Sequence, residues 1–156
     1  MAGRRDQIVL SPAEIAAFLD ESRTLIAATN GPRGVPHVMP LWYVMRGEEP
    51  WAWTFARSQK TVNLERDPRA TLLVEDGEAY DKLRGVQIEC DVELVRDPTV
   101  VREFAVELFT RYTQPAGELP PEVLTMIDAQ LPRRVALRYK PNRYASWDHR
   151  KLAGSY

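Results

Sequence analysis

The stretch Thr24-Leu25-Ile26-Ala27-Ala28-Thr29-Asn30-Gly31-Pro32-Arg33-Gly34-Val35-Pro36-His37 reads as strand, turn, strand. A short apolar run with β-branched members stops at a cluster of Asn, Gly and Pro, and extended chain resumes at once. A connection that tight leaves room only for antiparallel pairing. Downstream, the second strand is predicted over Val35–Met45, interrupted by Pro36 and Pro40. Proline cannot donate to a ladder, so its presence marks an edge, a bulge or a place where a ligand lies on the backbone. Trp51–Ala56 alternates aromatic with small residues and pairs back across Arg46–Pro50. Ala70–Glu75 is a further strand, closed by Asp76-Gly77. From Val86 to Leu94 the alternation is strict, with Val86, Ile88, Cys90, Val92 and Leu94 on one face. Gln87, Glu89, Asp91 and Glu93 take the other, so one side is core and the other is wet or lines a site. Two closing strands, Val135–Lys140 and Tyr144–Trp147, precede a tail, Asp148–Tyr156.

Helical signals fill the gaps. Ser11-Pro12-Ala13-Glu14 is a capping box with proline at the first helical position, opening a helix over Ala13–Glu21. A short helix spans Gln59–Arg66 and is stopped by Asp67-Pro68. Asp97-Pro98 starts another through Tyr112, with Val101, Phe104, Ala105, Leu108 and Phe109 at helical spacing. After a loop over Pro115–Pro121 comes a helix over Glu122–Leu131. Consecutive β runs with tight turns favour an antiparallel sheet curled into a barrel over a doubly wound parallel fold. The fold class is mainly β within α+β. A chain of 156 residues is expected to be one domain over 1–156.

The net charge of −1 supplies no overall field toward nucleic acid or anionic membrane. No stretch reaches membrane-spanning length, and Ile8-Val9-Leu10 is too short for a signal-peptide core. One cysteine excludes an internal disulfide, and two histidines are too few for an ordinary Cys/His zinc site. The expectation is a cytoplasmic, metal-free protein without nucleic-acid or membrane partners. Cys90, on the apolar face with no basic neighbour, reads as an inert buried thiol.

Chemistry concentrates where strand gives way to helix, at Thr54-Phe55-Ala56-Arg57-Ser58-Gln59-Lys60-Thr61-Val62-Asn63-Leu64. A helix start offers unpaired N–H groups and the positive end of the macrodipole. Arg57 and Lys60 add full charges, Ser58 and Thr61 hydroxyl donors. Cations there oppose the dipole by a few tenths of a kcal/mol, so a helix built only for stability would prefer acids. The pattern reads as a phosphate cradle, against the alternative of an ordinary start with solvated charges.

This layout resembles the split β-barrel flavoproteins of the pyridoxamine 5′-phosphate oxidase-like superfamily, especially the actinobacterial flavin/deazaflavin oxidoreductases. The matching features are Thr29–His37, Pro40-Leu41-Trp42-Tyr43, Thr54–Leu64, Asp67-Pro68-Arg69-Ala70, Gly85-Val86-Gln87-Ile88 and Ser146–Leu152. The resemblance implies an antiparallel split barrel with flanking helices, working as a homodimer with a cofactor at each interface site. It implies coenzyme F420, or alternatively FMN, held by its phosphate at Arg57, Ser58, Lys60, Thr61 and Asn63. The ring would lie against Pro40, Leu41, Trp42 and Tyr43, with Thr54, Phe55 and Ala56 beside it. Gln87 and Trp147 would be neighbours, and Arg150 a further candidate. Scattered Arg33, Arg133 or Arg134 could hold the deazaflavin's tail. Asp148-His149-Arg150 has the residue types of the family's substrate-phosphate arrangement in the wrong order, which argues against pyridoxal-phosphate synthesis.

The expected activity is hydride transfer from a reduced deazaflavin to a small conjugated or heteroaromatic substrate. The cofactor supplies the difficult chemistry, which suits a chain without an acid–base pair. A substrate proton would come from solvent or a tyrosine such as Tyr43. The alternatives are an FMN-dependent oxidoreductase and a non-catalytic flavin or haem carrier, the last requiring His37 or His149 at the pocket. Ser146, Asp148 and His149 lie too close along the chain to read as a hydrolytic triad.

Overall fold

A computed structural model of the chain describes residues 3–152, and residues 153–156 of the expected tail lie outside the described residues. Among the described residues, seven strands and five α-helices run in the order α1 (Arg4–Ile8), α2 (Pro12–Glu21), β1 (Leu25–Asn30), β2 (Pro36–Leu41), β3 (Val44–Arg46), β4 (Glu49–Phe55), α3 (Gln59–Arg66) and β5 (Arg69–Asp76). They continue with β6 (Arg84–Val95), α4 (Pro98–Thr113), α5 (Pro121–Gln130) and β7 (Arg134–Asp148), followed by a 3-10 turn over His149–Leu152. All strand pairs are antiparallel, in the order β2-β1-β5-β6-β7-β4-β3.

That order explains the curl. β2 and β3 occupy opposite edges, yet only Trp42 and Tyr43 separate them in the chain. A flat sheet of this width would hold its edges roughly 29 Å apart, six spacings of about 4.8 Å. A two-residue link reaches no more than about 11 Å. The sheet must therefore bend until its edges approach, which gives an antiparallel half-barrel.

The segment expected as one long strand over Val35–Met45 is thus two strands on opposite edges. The prolines bear on the reason: Pro36 and Pro40 both lie on edge strand β2, where a missing donor costs least. Conversely, the two expected closing strands are one. β7 runs unbroken from Arg134 to Asp148, and the break read at Pro141-Asn142 is a bulge: Glu89 pairs with Arg143 while Cys90 pairs with Pro141. An extra residue on one strand bends it without ending it. α1, unanticipated from the sequence, has no buried residue.

The concave side holds the main core. Leu25, Ala27, Leu72, Val74, Val86, Ile88, Cys90, Leu137 and Tyr139 are buried there, plugged by Phe18 and Leu19 from α2 and Leu64 from α3. The capping box that opens α2 is formed: Ser11 Oγ accepts from the Glu14 amide, and Glu14 accepts from the Ser11 amide at 2.7 Å. On the convex side, α4 lays Val101, Phe104 and Leu108 against Val44, Trp51 and Ala136. α5 covers α4 in turn through Ile127. The acidic convex residues of β6 are paired across the sheet, Glu93 with Lys140 at 2.7 Å and Glu89 with Arg143 at 3.5 Å.

Gly85 is required by a neighbour. A Cβ at this position would stand 2.3 Å from Cζ2 of Trp147, its cross-strand partner. Gly85→Ala must push the indole aside, and overpacking of this kind costs about 1–3 kcal/mol. The expected result is a lower thermal midpoint together with altered tryptophan fluorescence.

Candidate functional site

α3 begins where β4 leaves the sheet. Ser58 is its N-cap, accepting from the Thr61 amide and lying 3.1 Å from Thr61 Oγ1. Thr61 is fully buried and donates to the Phe55 carbonyl at 3.0 Å, tying the first turn to the end of the strand. The Gln59 and Lys60 amides have no hydrogen-bond partner among the described residues, leaving the donors that a helix start presents to an anion. Asn63 is buried and faces inward, donating to Thr29 Oγ1 at 3.1 Å and accepting from Gln59. Its role in this arrangement is to fix α3 on β1, so it supports the cradle from behind.

Lys60 distinguishes this helix start from an ordinary one. Its side chain is buried, with Nζ donating to Thr54 Oγ1 at 3.0 Å, and no carboxylate pairs with it among the described residues. Burial lowers its pKa, and the positive charge of Arg134 lowers it further. Arg134 is also without a carboxylate among the described residues: it bonds the neutral Gln130 side chain at 2.6 Å and stacks over Phe55, 3.6 Å from the ring centroid. Burial lowers its pKa as well, followed by Arg133. A buried cation normally has an acid beside it. Two adjacent cations without one leave local positive potential that an anion would compensate. Arg57 stands exposed at the same turn with no partner among the described residues. By sequence Arg134 is one of several scattered candidates for the cofactor's tail; only the Phe55↔Arg134 register brings it to the cradle.

The ring-side residues divide. Pro40 and Leu41 end edge strand β2, exposed and half-buried respectively. Trp42 is 48% exposed and stacks on Tyr112 with centroids 4.4 Å apart. Tyr43 points the other way. Its side chain is fully buried, its hydroxyl donates to the Leu19 carbonyl, and burial pushes its pKa up to about 12. That corrects the expectation that Tyr43 could deliver a proton to substrate: its proton is committed inside the core.

Thr54 is buried beneath Lys60, Phe55 is 51% exposed, and the Ala56 amide donates to the Arg133 carbonyl at 2.8 Å. Trp42 and Phe55 therefore supply exposed aromatic surface, while Trp51 and half-buried Trp53 pack on α4.

Gln87 and Trp147 do not join the cradle within one chain. Both lie on the convex face, alternate to core residues Val86 and Ile88, whereas Leu64 of α3 packs on the concave side. Arg150 is held by buried Asp148, at 2.8 and 2.6 Å. His149 Nδ1 lies 2.8 Å from the Tyr80 carbonyl, and His37 Nδ1 is buried without a partner among the described residues. Cys90 is buried against the Ala70 carbonyl and its thiol is pushed up to about 12 by burial, the inert state expected of it. No cluster of three or more potential metal ligands occurs among the described residues. No helix among them is long and apolar enough to cross a membrane.

A second feature leaves no signal in the sequence: the clamp on the Trp42–Tyr43 link. Arg111 donates to the carbonyls of Tyr43, Asp20 and Ser22, the last at 2.8 Å, and lies over the Tyr43 ring at 5.0 Å. Tyr112 Oη accepts from the Tyr43 amide at 3.0 Å. An Arg-Tyr pair in the last turn of an amphipathic helix carries no signal of this by itself.

Comparison with known proteins fits this geometry. A conserved hypothetical protein of Mycobacterium tuberculosis, Rv2991, is 45% identical over 97% of this chain and 93% of its own, with a TM-score of 0.86. A structure described as an F420 reductase is 25% identical over 83% of this chain and 94% of its own, with a TM-score of 0.63. The haem storage protein HutZ of Vibrio cholerae, at 19% identity over 88% of this chain and 93% of its own, shares the fold with a TM-score of 0.66. No curated protein sequence matches. Residues 11–148 match the model of the pyridoxamine 5′-phosphate oxidase family, and the chain belongs to that family of split-barrel, flavin-binding oxidoreductases.

Proposed function

We propose that the protein is an oxidoreductase using coenzyme F420, with its phosphate in the α3 cradle, to pass a hydride to a small conjugated or heteroaromatic substrate. The observation that carries this is Lys60: a buried ammonium at a helix start, beside Arg134, with no carboxylate partner among the described residues. Likeness to an F420 reductase favours the deazaflavin. FMN is the second reading, because it presents the same chemistry, a phosphate and a tricyclic ring.

When bound, such a cofactor supplies the hydride-transfer chemistry. The chain's residues supply the rest. Lys60, Arg57 and the Gln59 and Lys60 amides hold the phosphate, while Thr54 and Ser58 orient Lys60 and the helix start. Trp42 and Phe55 offer flat apolar surface that excludes water from one side of a ring.

A second copy of the chain would supply Gln87 and Trp147. Their convex face also carries Ile26, Ala28, Leu73 and Val38, half-buried except for Val38, which is 52% exposed. A homodimer would cover that apolar surface and bring the two residues to a cradle.

The test is a titration with F420 and with FMN, followed by tryptophan quenching, on the wild type and Lys60→Ala. Tight F420 binding that Lys60→Ala weakens supports the proposal. Preference for FMN moves the assignment to the second reading, and binding neither overturns the cradle.

The proton on Lys60 adds a pH signature. An anion prefers the charged form, so affinity is expected to fall as pH rises through a pKa below the ordinary lysine range. Lys60→Arg should flatten that profile. Stability of the ligand-free protein runs the opposite way. Between the lowered folded pKa and the unfolded value the native state binds fewer protons, so Lys60's contribution to stability rises with pH.

A further inference from the structure

A cavity of about 760 Å³ opens between α2, the β3–β4 turn and the last third of β7. Its volume falls in the range of small-molecule sites. It is separate from the cradle: Val135 of β7 lies opposite Thr54, and the run from there to Tyr144, which lines the cavity, is roughly 30 Å of strand. The cavity exists because β4 pairs only with the first part of β7, so the sheet parts beyond Arg138 and α2 spans the gap. The chain before α2 is strapped over it. The Leu10 amide donates to Ser146 Oγ at 3.0 Å, and Lys151 Nζ donates to the Val9 carbonyl at 2.9 Å.

The lining defines what would fit. Leu10, Ile15, Leu19 and Met45 make an apolar floor, which calls for a ring or hydrocarbon body. The mouth carries both signs, Arg5 and the Glu89-paired Arg143 with Asp20 and Glu48, so no single-sign patch selects an ion. Glu48 makes no hydrogen bond or ion pair among the described residues, nor does the Tyr144 hydroxyl beside it. Burial and the Glu48 charge raise the Tyr144 pKa, which keeps the phenol protonated. A carboxylate can only accept, so a ligand partner for Glu48 must donate an N–H or O–H.

We propose that this cavity is a second binding site, for an uncharged, largely aromatic small molecule whose hydroxyl or amine donates to Glu48. The probe is N-phenyl-1-naphthylamine, an uncharged aromatic amine that fluoresces on leaving water, titrated into the full chain. Saturable binding of one probe per chain is expected. Ala16→Phe, on an exposed position of α2 that lines the cavity, should fill it and remove binding while leaving the thermal midpoint unchanged. Glu48→Ala should weaken binding about tenfold, the loss of one hydrogen bond to a charged group. Lys60→Ala and added FMN should leave the probe's affinity unchanged, even if the cradle binds neither flavin. Absence of saturation, undiminished binding to Ala16→Phe or to Glu48→Ala, or displacement by FMN would overturn the assignment.

Discussion

Lys60→Met is expected to make the ligand-free protein more stable and to weaken its affinity for a phosphorylated cofactor by about one to two decades. The two effects share one cause. Lys60 is 7% exposed, its ammonium has one neutral hydrogen-bond partner, and the nearby charge of Arg134 has the same sign. Desolvating a cation without a counter-ion disfavours the fold, and methionine fills similar space without charge. A gain of about 1 kcal/mol is expected, raising the thermal midpoint by about 2–4 °C for a chain of this size. On the binding side, a charge-assisted hydrogen bond contributes about 1.5–3 kcal/mol, which is one to two decades in Kd. Differential scanning fluorimetry with and without F420 or FMN reads both quantities. A Lys60→Met protein less stable than wild type would show that the lysine serves the fold, and the cradle reading would lose its main support.

Arg111→Ala is expected to cost the fold about 3 kcal/mol or more. Hydrogen bonds from a charged donor contribute about 1.5–3 kcal/mol each, and this guanidinium serves the carbonyls of Asp20, Ser22 and Tyr43 at once. Those three belong to the end of α2 and to the Trp42–Tyr43 link, the one place where the chain jumps between sheet edges. Removing the clamp leaves the carbonyls to find water and frees the link. A fall in thermal midpoint of about 6–12 °C follows at about 2–4 °C per kcal/mol. Because Trp42 stacks on the adjacent Tyr112, the variant should also lose ring affinity beyond the loss in stability. Cofactor binding measured well below the midpoint separates the two, and unchanged affinity there would show that the link does not touch the ring.

Local features of this fold are legible in the sequence because they have local causes. The capping box at Ser11, the start of α3 at Gln59, the alternation from Val86 to Leu94 and the helical spacing in Val101–Leu108 each follow from backbone and side-chain preferences within a few residues. Each is found in the structure. Strand continuity was less legible. Pro36 and Pro40 signalled an edge, but nothing between Val35 and Met45 says that the chain crosses from one edge to the other at Trp42. Nor does Pro141-Asn142 say whether it ends a strand or bulges it, since both outcomes suit the same residues.

At the candidate site the division is similar. Arg57, Ser58, Lys60 and Thr61 stood out because cations at a helix start run against the dipole. The burial of Lys60 and Thr61, and the absence of a carboxylate beside Lys60 among the described residues, depend on what β4, β7 and α3 bring together. The composition and pattern of this chain by themselves determine an antiparallel, helix-flanked sheet and a cationic turn that opens α3, because those are consequences of neighbours in sequence. Tertiary structure alone decided that Arg134 stands beside Lys60, that Tyr43 is spent in the core, and that Gln87 and Trp147 face away. Those outcomes depend on strand order and on the curl imposed by the Trp42–Tyr43 link, and a register between residues far apart in the chain leaves no mark on either one's local sequence.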